Sequence, residues 1–267
     1  MTSSSRRARR GPPASALVLG GVAILFFALP VVGLLQRAPW SAVWDDLTAD
    51  TTLDALRLSL VCSVAATALA LVFGVPLAWV LARAEFPGRR VARALVTLPM
   101  VLPPVVGGVA LFLAFGRSGL VGQYLDEWFG LRLPFSTGGV IVAETFVAMP
   151  FLVVAVEGGL RSLDERYEDA ATTLGASRLT VFRRVTLPLI GPAVAAGAVL
   201  TWARAIGEFG ATVTFAGSFP GVTQTMPLAI FGEFEGGDLD GAIALSLVLV
   251  AVSVAVLVGL RDRWLRA

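Results

Sequence analysis

The sequence predicts an all-α integral membrane protein with about six transmembrane helices. Three observations carry that prediction. Of the 267 residues, 56% are hydrophobic and only 15% charged, with mean hydropathy +0.81; a soluble domain carries about 25% charged residues. Apolar stretches recur at the length of a bilayer crossing, about 20 residues. Arginine collects in alternate connecting segments.

The segments follow in order. Residues 1–14, rich in Ser, Arg and Pro, read as a disordered basic tail; residues 15–267 read as one transmembrane domain. The first span, 15–35, is long for a signal-peptide core, and no small-x-small cleavage site follows it, so an uncleaved span is expected. The second covers 56–81 and holds the single cysteine, Cys62, which reads as a buried small hydrophobe. The third, 91–115, carries Pro99, Pro103 and Pro104 and should be kinked or broken; the kink serves packing or lines a pathway. The fourth, 138–160, contains Glu144 and, nearer its end, Glu157, which is placed to reach the interface. A carboxylate such as Glu144 is what a proton-coupled carrier would use. A polar segment, 161–188, separates it from a short fifth span, 189–205, and the sixth covers 241–260.

Arginine orients these spans. One side holds Arg6, Arg7, Arg9, Arg10, Arg83, Arg89, Arg90, Arg93, Arg161, Arg166, Arg178, Arg183, Arg184, Arg261, Arg263 and Arg266. The other holds Arg37, Arg57, Arg117 and Arg132. The positive-inside rule places both termini and segment 161–188 in the cytoplasm.

Absences narrow the chemistry. There is no His, and every basic residue is Arg. Histidine-based acid–base catalysis, Ser-His triads and His-ligated metal sites have no parts here. A phosphate-binding loop of the Walker type needs Lys, so any ATP and Mg used must be bound by a partner. No enzyme activity, metal or nucleic-acid partner is expected of the chain itself.

Segment 161–188 has internal punctuation. Ser162-Leu163-Asp164-Glu165 has the form of a capping box. Gly175 can close a helix in the left-handed conformation. Ser177 can cap a second short helix, on which Leu179, Phe182 and Val185 would form one apolar face beside Arg178, Arg183 and Arg184. By periodicity alone this is an amphipathic helix on the inner leaflet. The spacing adds more. Asp169-Ala170-Ala171 is followed by three residues, Gly175, nine residues, Val185, one residue and Leu187-Pro188. This resembles the EAA signature of ABC-importer permease subunits, with Asp for Glu and Val for Ile. The resemblance implies a loop at about 161–188 that docks onto a separate ATPase subunit, with Leu179 and Phe182 as apolar anchors.

A second resemblance starts after the fifth span. The run from Ala203 to Phe231, ARAIGEFGATVTFAGSFPGVTQTMPLAIF, is similar to permeases for tetrahedral oxyanions, to the molybdate permease family more than to the sulfate permeases. Arg204 and Glu208 are four apart and share a helical face, either as a packing pair or as part of an anion path. Thr201, Thr212 and Thr214 offer hydroxyl donors to such an anion. The resemblance implies a homodimer with two ATP-binding subunits and an extracytoplasmic molybdate-binding protein, in a bacterial or archaeal cell membrane; tungstate, sulfate and thiosulfate are the neighbouring substrates. Glu233, Glu235, Asp238 and Asp240 give the outer region an acidic surface. That surface repels a free oxyanion and suits docking of a basic rim on the binding protein, or is simply solvated.

Overall fold

The computed structural model describes residues 14–41 and 48–264; most of the basic tail, with Arg6, Arg7, Arg9 and Arg10, and Arg266 lie outside them. The described residues are mostly helical, and no strand occurs among them. Apolar solvent dictates this, because a helix satisfies its own backbone where no water can.

In chain order the helices are α1 (Ala14–Arg37), α2 (Asp50–Arg83), α3 (Arg89–Thr97), a 3₁₀ turn (Leu98–Met100), α4 (Pro104–Phe115), α5 (Gly122–Phe129) and α6 (Thr137–Ser162). Then follow α7 (Arg166–Thr173), α8 (Arg178–Val181), a π turn (Phe182–Thr186), α9 (Leu187–Leu189), α10 (Gly191–Ile206), α11 (Gly210–Phe215), α12 (Met226–Gly236) and α13 (Leu239–Trp264). Four helices are long and apolar enough to cross a membrane, α1, α2, α6 and α13. Two bent pairs complete six spans if each counts as one.

The bends have sequence causes. Between the α3 segment and α4 the chain turns by 118° at Pro103-Pro104, so the expected third span is broken rather than straight. Neither proline can donate a backbone hydrogen bond, and Pro104 sits at a helix start, where that donor is not needed. The turn between the segment ending at Leu189 and α10 is 72°, with Pro192 in the first turn of α10.

The core is the contact of α2, α6 and α10. Ala66, Ala148 and Ala205, one from each helix, form a buried cluster. Larger side chains, among them Leu81, Leu152, Val156, Leu160 and Ile190, close the arginine-rich end. Small residues let the backbones approach: a Cβ on Gly197 would lie 2.9 Å from Leu152 Cδ1 and 3.0 Å from Ala155 Cβ. Between membrane helices such packing replaces the hydrophobic effect.

Polar side chains fasten the bundle ends. Glu157 does not reach outward as expected. It is buried, and its Oε1 accepts from Arg93 Nη2 at 2.5 Å and from Arg161 Nη2 at 2.8 Å. Arg93 also donates to Leu81 O, and Arg89 to Leu81 O and Ala82 O, so both arginines close the carbonyl end of α2. At the other end Asp126 on α5 accepts from Arg117 Nε at 2.9 Å and Arg132 Nε at 2.8 Å.

Two predictions follow from these contacts. Gly197→Val forces α10 away from α6 and should cost about 1–3 kcal/mol by overpacking, seen as a lower unfolding temperature in detergent. The hydrogen bond from Arg132, then the charges of Arg132 and Arg117, hold the Asp126 carboxyl below its ordinary range. A depressed carboxyl stabilises above its unfolded pKa and loses that contribution as pH falls through the folded value. Hydrogen exchange over 117–132, corrected for intrinsic rates, should therefore stay constant from about pH 7 to 5, while Asp126→Asn should raise it throughout that range.

Candidate functional site

Three groups of candidate residues sit at different heights of the bundle. The first is an elbow at the arginine-rich end, made of α7, α8 and the π turn. The expected capping box does not form. Ser162 ends α6 and donates to Gly159 O, while Asp164 Oδ1 accepts from Arg166 N. Asp164 wins because it stands two residues from the free N–H, whereas Ser162 is still inside a helix with a carbonyl in reach.

The rest of the elbow follows its sequence punctuation. Gly175 has φ +85°, and its N–H closes α7 onto Thr172 O at 2.9 Å. Ser177 Oγ accepts from Thr180 N at the start of α8. Leu187-Pro188 continues directly from the π turn into α9.

Within the elbow the side chains divide into two faces. Asp169, Ala170, Gly175 and Leu179 are exposed, as is Leu174 at the tip, 88% exposed. Ala171, Phe182, Val185 and Leu187 are half-buried, and Phe182 packs edge-on to Trp79 of α2 with ring centroids 6.0 Å apart. Leu179 and Phe182 therefore do not share one apolar face as expected. The backbone from Leu179 to Phe182 is regular α-helix, so the two side chains lie about 60° apart on it, and only the Phe182 side meets α2.

Sequence reasoning missed the polar side of this elbow. Glu168 Oε1 accepts from Thr186 Oγ1 at 2.5 Å, and its Oε2 lies 3.3 Å from Arg83 Nη2. Arg83 also pairs with Glu165. The signal was the doublet Glu168-Asp169. Adjacent helical residues point about 100° apart, so only one of the two carboxylates can face inward.

The second group lies where α10 ends. Arg204 Nη2 and Glu208 Oε2 form the expected pair at 2.5 Å, and Glu208, 1% exposed, also accepts from Ala211 N at 2.8 Å. Glu208 thus caps α11. Thr201 and Thr212 are fully buried, and neither hydroxyl has a protein partner. Thr214 differs: its hydroxyl donates to Gly210 O at 2.8 Å. Glu144 on α6 is also buried, and its Oε2 has no partner.

The third group is the acidic turn between α12 and α13. Glu233, Glu235, Asp238 and Asp240 are all exposed. Asp238 is committed to structure, because its Oδ1 accepts from Gly241 N at 2.9 Å. No group of three or more metal-ligating side chains occurs among the described residues.

Comparison with known proteins accords with this architecture. Residues 70–266 match the family described as "Binding-protein-dependent transport system inner membrane component". The Molybdenum transport system permease protein ModB of Mycobacterium tuberculosis is 49% identical over 90% of this chain and 90% of its own. The protein of the same name from Escherichia coli K12 is 39% identical over 82% of this chain and 95% of its own. The Sulfate transport system permease protein CysT of Salmonella typhimurium is 36% identical over 93% and 92%. A solved bacterial ABC transporter involved in the import of the acidic polysaccharide alginate superposes with TM-score 0.74 at 19% identity, covering 94% of each chain, which speaks to the fold alone. With the family match along most of its length, this chain belongs to the binding-protein-dependent inner membrane components, the multi-pass permeases of ABC importers.

Proposed function

We propose that this chain is the permease subunit of an importer for molybdate, or for its near-isostere tungstate. The observation that carries the substrate is the 49% identity, along nine-tenths of the chain, to a permease named for molybdenum transport. Two copies assemble with two ATP-binding subunits, which hold ATP and Mg, and with an extracytoplasmic molybdate-binding protein. The arginine-rich end faces the cytoplasm.

The site geometry supports the division of labour. The exposed face of the elbow, Asp169, Ala170, Gly175, Leu179 and the tip Leu174, is free to sit in a groove of the ATPase. Phe182, Val185, Leu187 and Pro188 tie that face to the spans. When ATP draws the two elbows together, the spans rock from inward- to outward-facing. Along the path, an oxyanion needs donors. Thr201 and Thr212 have hydroxyls that no protein atom uses, and Arg204, paired with Glu208, follows Thr201 by three residues on α10. Thr214, engaged by its own helix, contributes shape instead. At the acidic end Glu233, Glu235 and Asp240 meet the binding protein, and Asp238 holds their turn in place.

Sulfate import is the second reading, favoured by 36% identity to a sulfate permease over 93% of the chain. ATP hydrolysis in proteoliposomes separates the two. The chain is reconstituted with its ATP-binding subunit and challenged with binding protein loaded with molybdate, tungstate or sulfate. Stimulation by the molybdate-loaded protein supports the leading reading; stimulation by sulfate alone moves the substrate. Uptake that ignores vanadate but collapses with an uncoupler would replace both with proton coupling through Glu144 or Glu208.

Variants test the parts. Gly175→Val places a β-branched residue at positive φ, a cost of about 1–2 kcal/mol, and should cut stimulated hydrolysis roughly tenfold. Glu233→Arg with Glu235→Arg should raise the concentration of binding protein needed for half-maximal stimulation about fivefold. An unchanged concentration removes both residues from the docking surface.

A further inference from the structure

The elbow is joined to α2 at one node. Arg83 is the last residue of α2, and its guanidinium meets Glu168 of α7 at 3.3 Å. Glu168 uses its other oxygen to accept from Thr186, the last residue of the π turn, at 2.5 Å. Three elements thus converge on one carboxylate. The node is sheltered: the side chains of Arg83 and Glu168 are 15% and 18% exposed, and Thr186 is fully buried. Glu165, the other acid on Arg83, is 71% exposed and holds little by comparison. A cleft of about 430 Å³, lined by Trp79, Arg83, Glu168, Thr172, Arg178 and Phe182 among others, opens beside the node.

Helix α2 also reaches the other half of the molecule. Its 34 residues span about 50 Å. Toward its start, buried Ser59 Oγ accepts from Met226 N, the first residue of α12, at 2.7 Å. α12 ends in the acidic turn. One continuous helix, with Pro76 inside it, therefore touches the elbow at its last residue and the acidic arm through Ser59.

We infer that Arg83, Glu168 and Thr186 form a strut that ties the elbow to α2, so that displacement of the elbow moves α2 rather than bending the loop. They are positioning residues for energy coupling, distinct from the exposed Asp169 face that would meet an ATPase. The chemistry favours this role. The aromatic contact of Trp79 with Phe182 attracts but permits sliding, whereas a sheltered carboxylate that pairs with Arg83 through one oxygen and is hydrogen-bonded by Thr186 through the other is held from two directions. Placing the two acids side by side on α7 gives one carboxylate to the partner and the other to the strut.

The inference rests on the importer reading above, and one experiment separates the two. In proteoliposomes holding the permease with its ATP-binding subunits, molybdate taken up per ATP hydrolysed is measured with molybdate-loaded binding protein. Glu168→Gln keeps the size and removes the charge; it and Arg83→Ala should each lower the ratio at least about fivefold, and Arg83→Lys should recover part of it. Thr186→Val, the mildest change, should lower it about twofold. Because the residues act as one link, Arg83→Ala combined with Glu168→Gln should be no worse than the poorer single variant. Ratios within about twofold of wild type, or losses that multiply in the double variant, would overturn the strut. So would failure of the variants to assemble with the ATP-binding subunits, which would make the node part of the docking surface. If wild type itself shows no stimulation, the importer reading falls, and the strut with it.

Discussion

Everything else in this molecule hangs on the close approach of α2, α6 and α10. Lipid removes most of the hydrophobic gain between helices, so contact depends on packing and on the few polar links available. The alanines at 66, 148 and 205 and the glycine at 197 supply that contact by leaving no side chain in the way. Because three helices are locked along their middles, their ends become fixed platforms. The elbow, the buried polar group near Glu208 and the acidic turn all project from helices of this trio or from segments hydrogen-bonded to them.

Rigidity at the centre explains the tolerance for polar groups around it. Glu208 is 1% exposed and would be costly alone, yet it has an arginine four residues earlier and a backbone N–H at the start of α11. Glu157 is treated the same way by Arg93 and Arg161. Glu144, Thr201 and Thr212 are different: each keeps a buried oxygen that no protein atom satisfies. Buried polar atoms without a hydrogen-bond partner are uncommon, and Arg83 Nε and Nη2 and Thr225 Oγ1 share that condition elsewhere in the bundle. Near the end of α10, Glu144, Thr201 and Thr212 leave polar atoms with unused hydrogen-bonding capacity.

Much of this was legible in residue order. Apolar runs located the four long helices and, less sharply, the two bent pairs, because lipid accepts little else. The prolines near 103 marked the break in the third span, and Gly175 and Ser177 marked the elbow, since φ > 0 and helix capping are local needs met by particular residues. What escaped was non-local or competitive. Ser162 looked like a cap, but it still lies within α6 and a nearer carboxylate took the N–H. Leu179 and Phe182 fall on different sides because Trp79 of α2 covers only one of them, a contact between segments about a hundred residues apart. Glu168 meets Arg83 across 85 residues of chain, a distance no periodicity can bridge.

The prolines show how the same residue serves opposite ends. Inside α1, α2 and α6 there is one proline each, at 30, 76 and 150, and these helices remain continuous. Pro104, Pro188, Pro192 and Pro227 instead stand in the first turns of their helices, where a missing N–H costs nothing and the fixed φ helps. Each of those four follows a change of direction or of helix type. The chain therefore has long continuous members, each with one proline where the backbone ladder lacks a hydrogen bond, and short members joined at defined corners. A force applied at the elbow has few ways to dissipate, because Gly175 alone within it holds a positive φ among the described residues. The direction of the push is then decided by what the elbow is bound to, and the sheltered ionic contact there is the one to the end of α2.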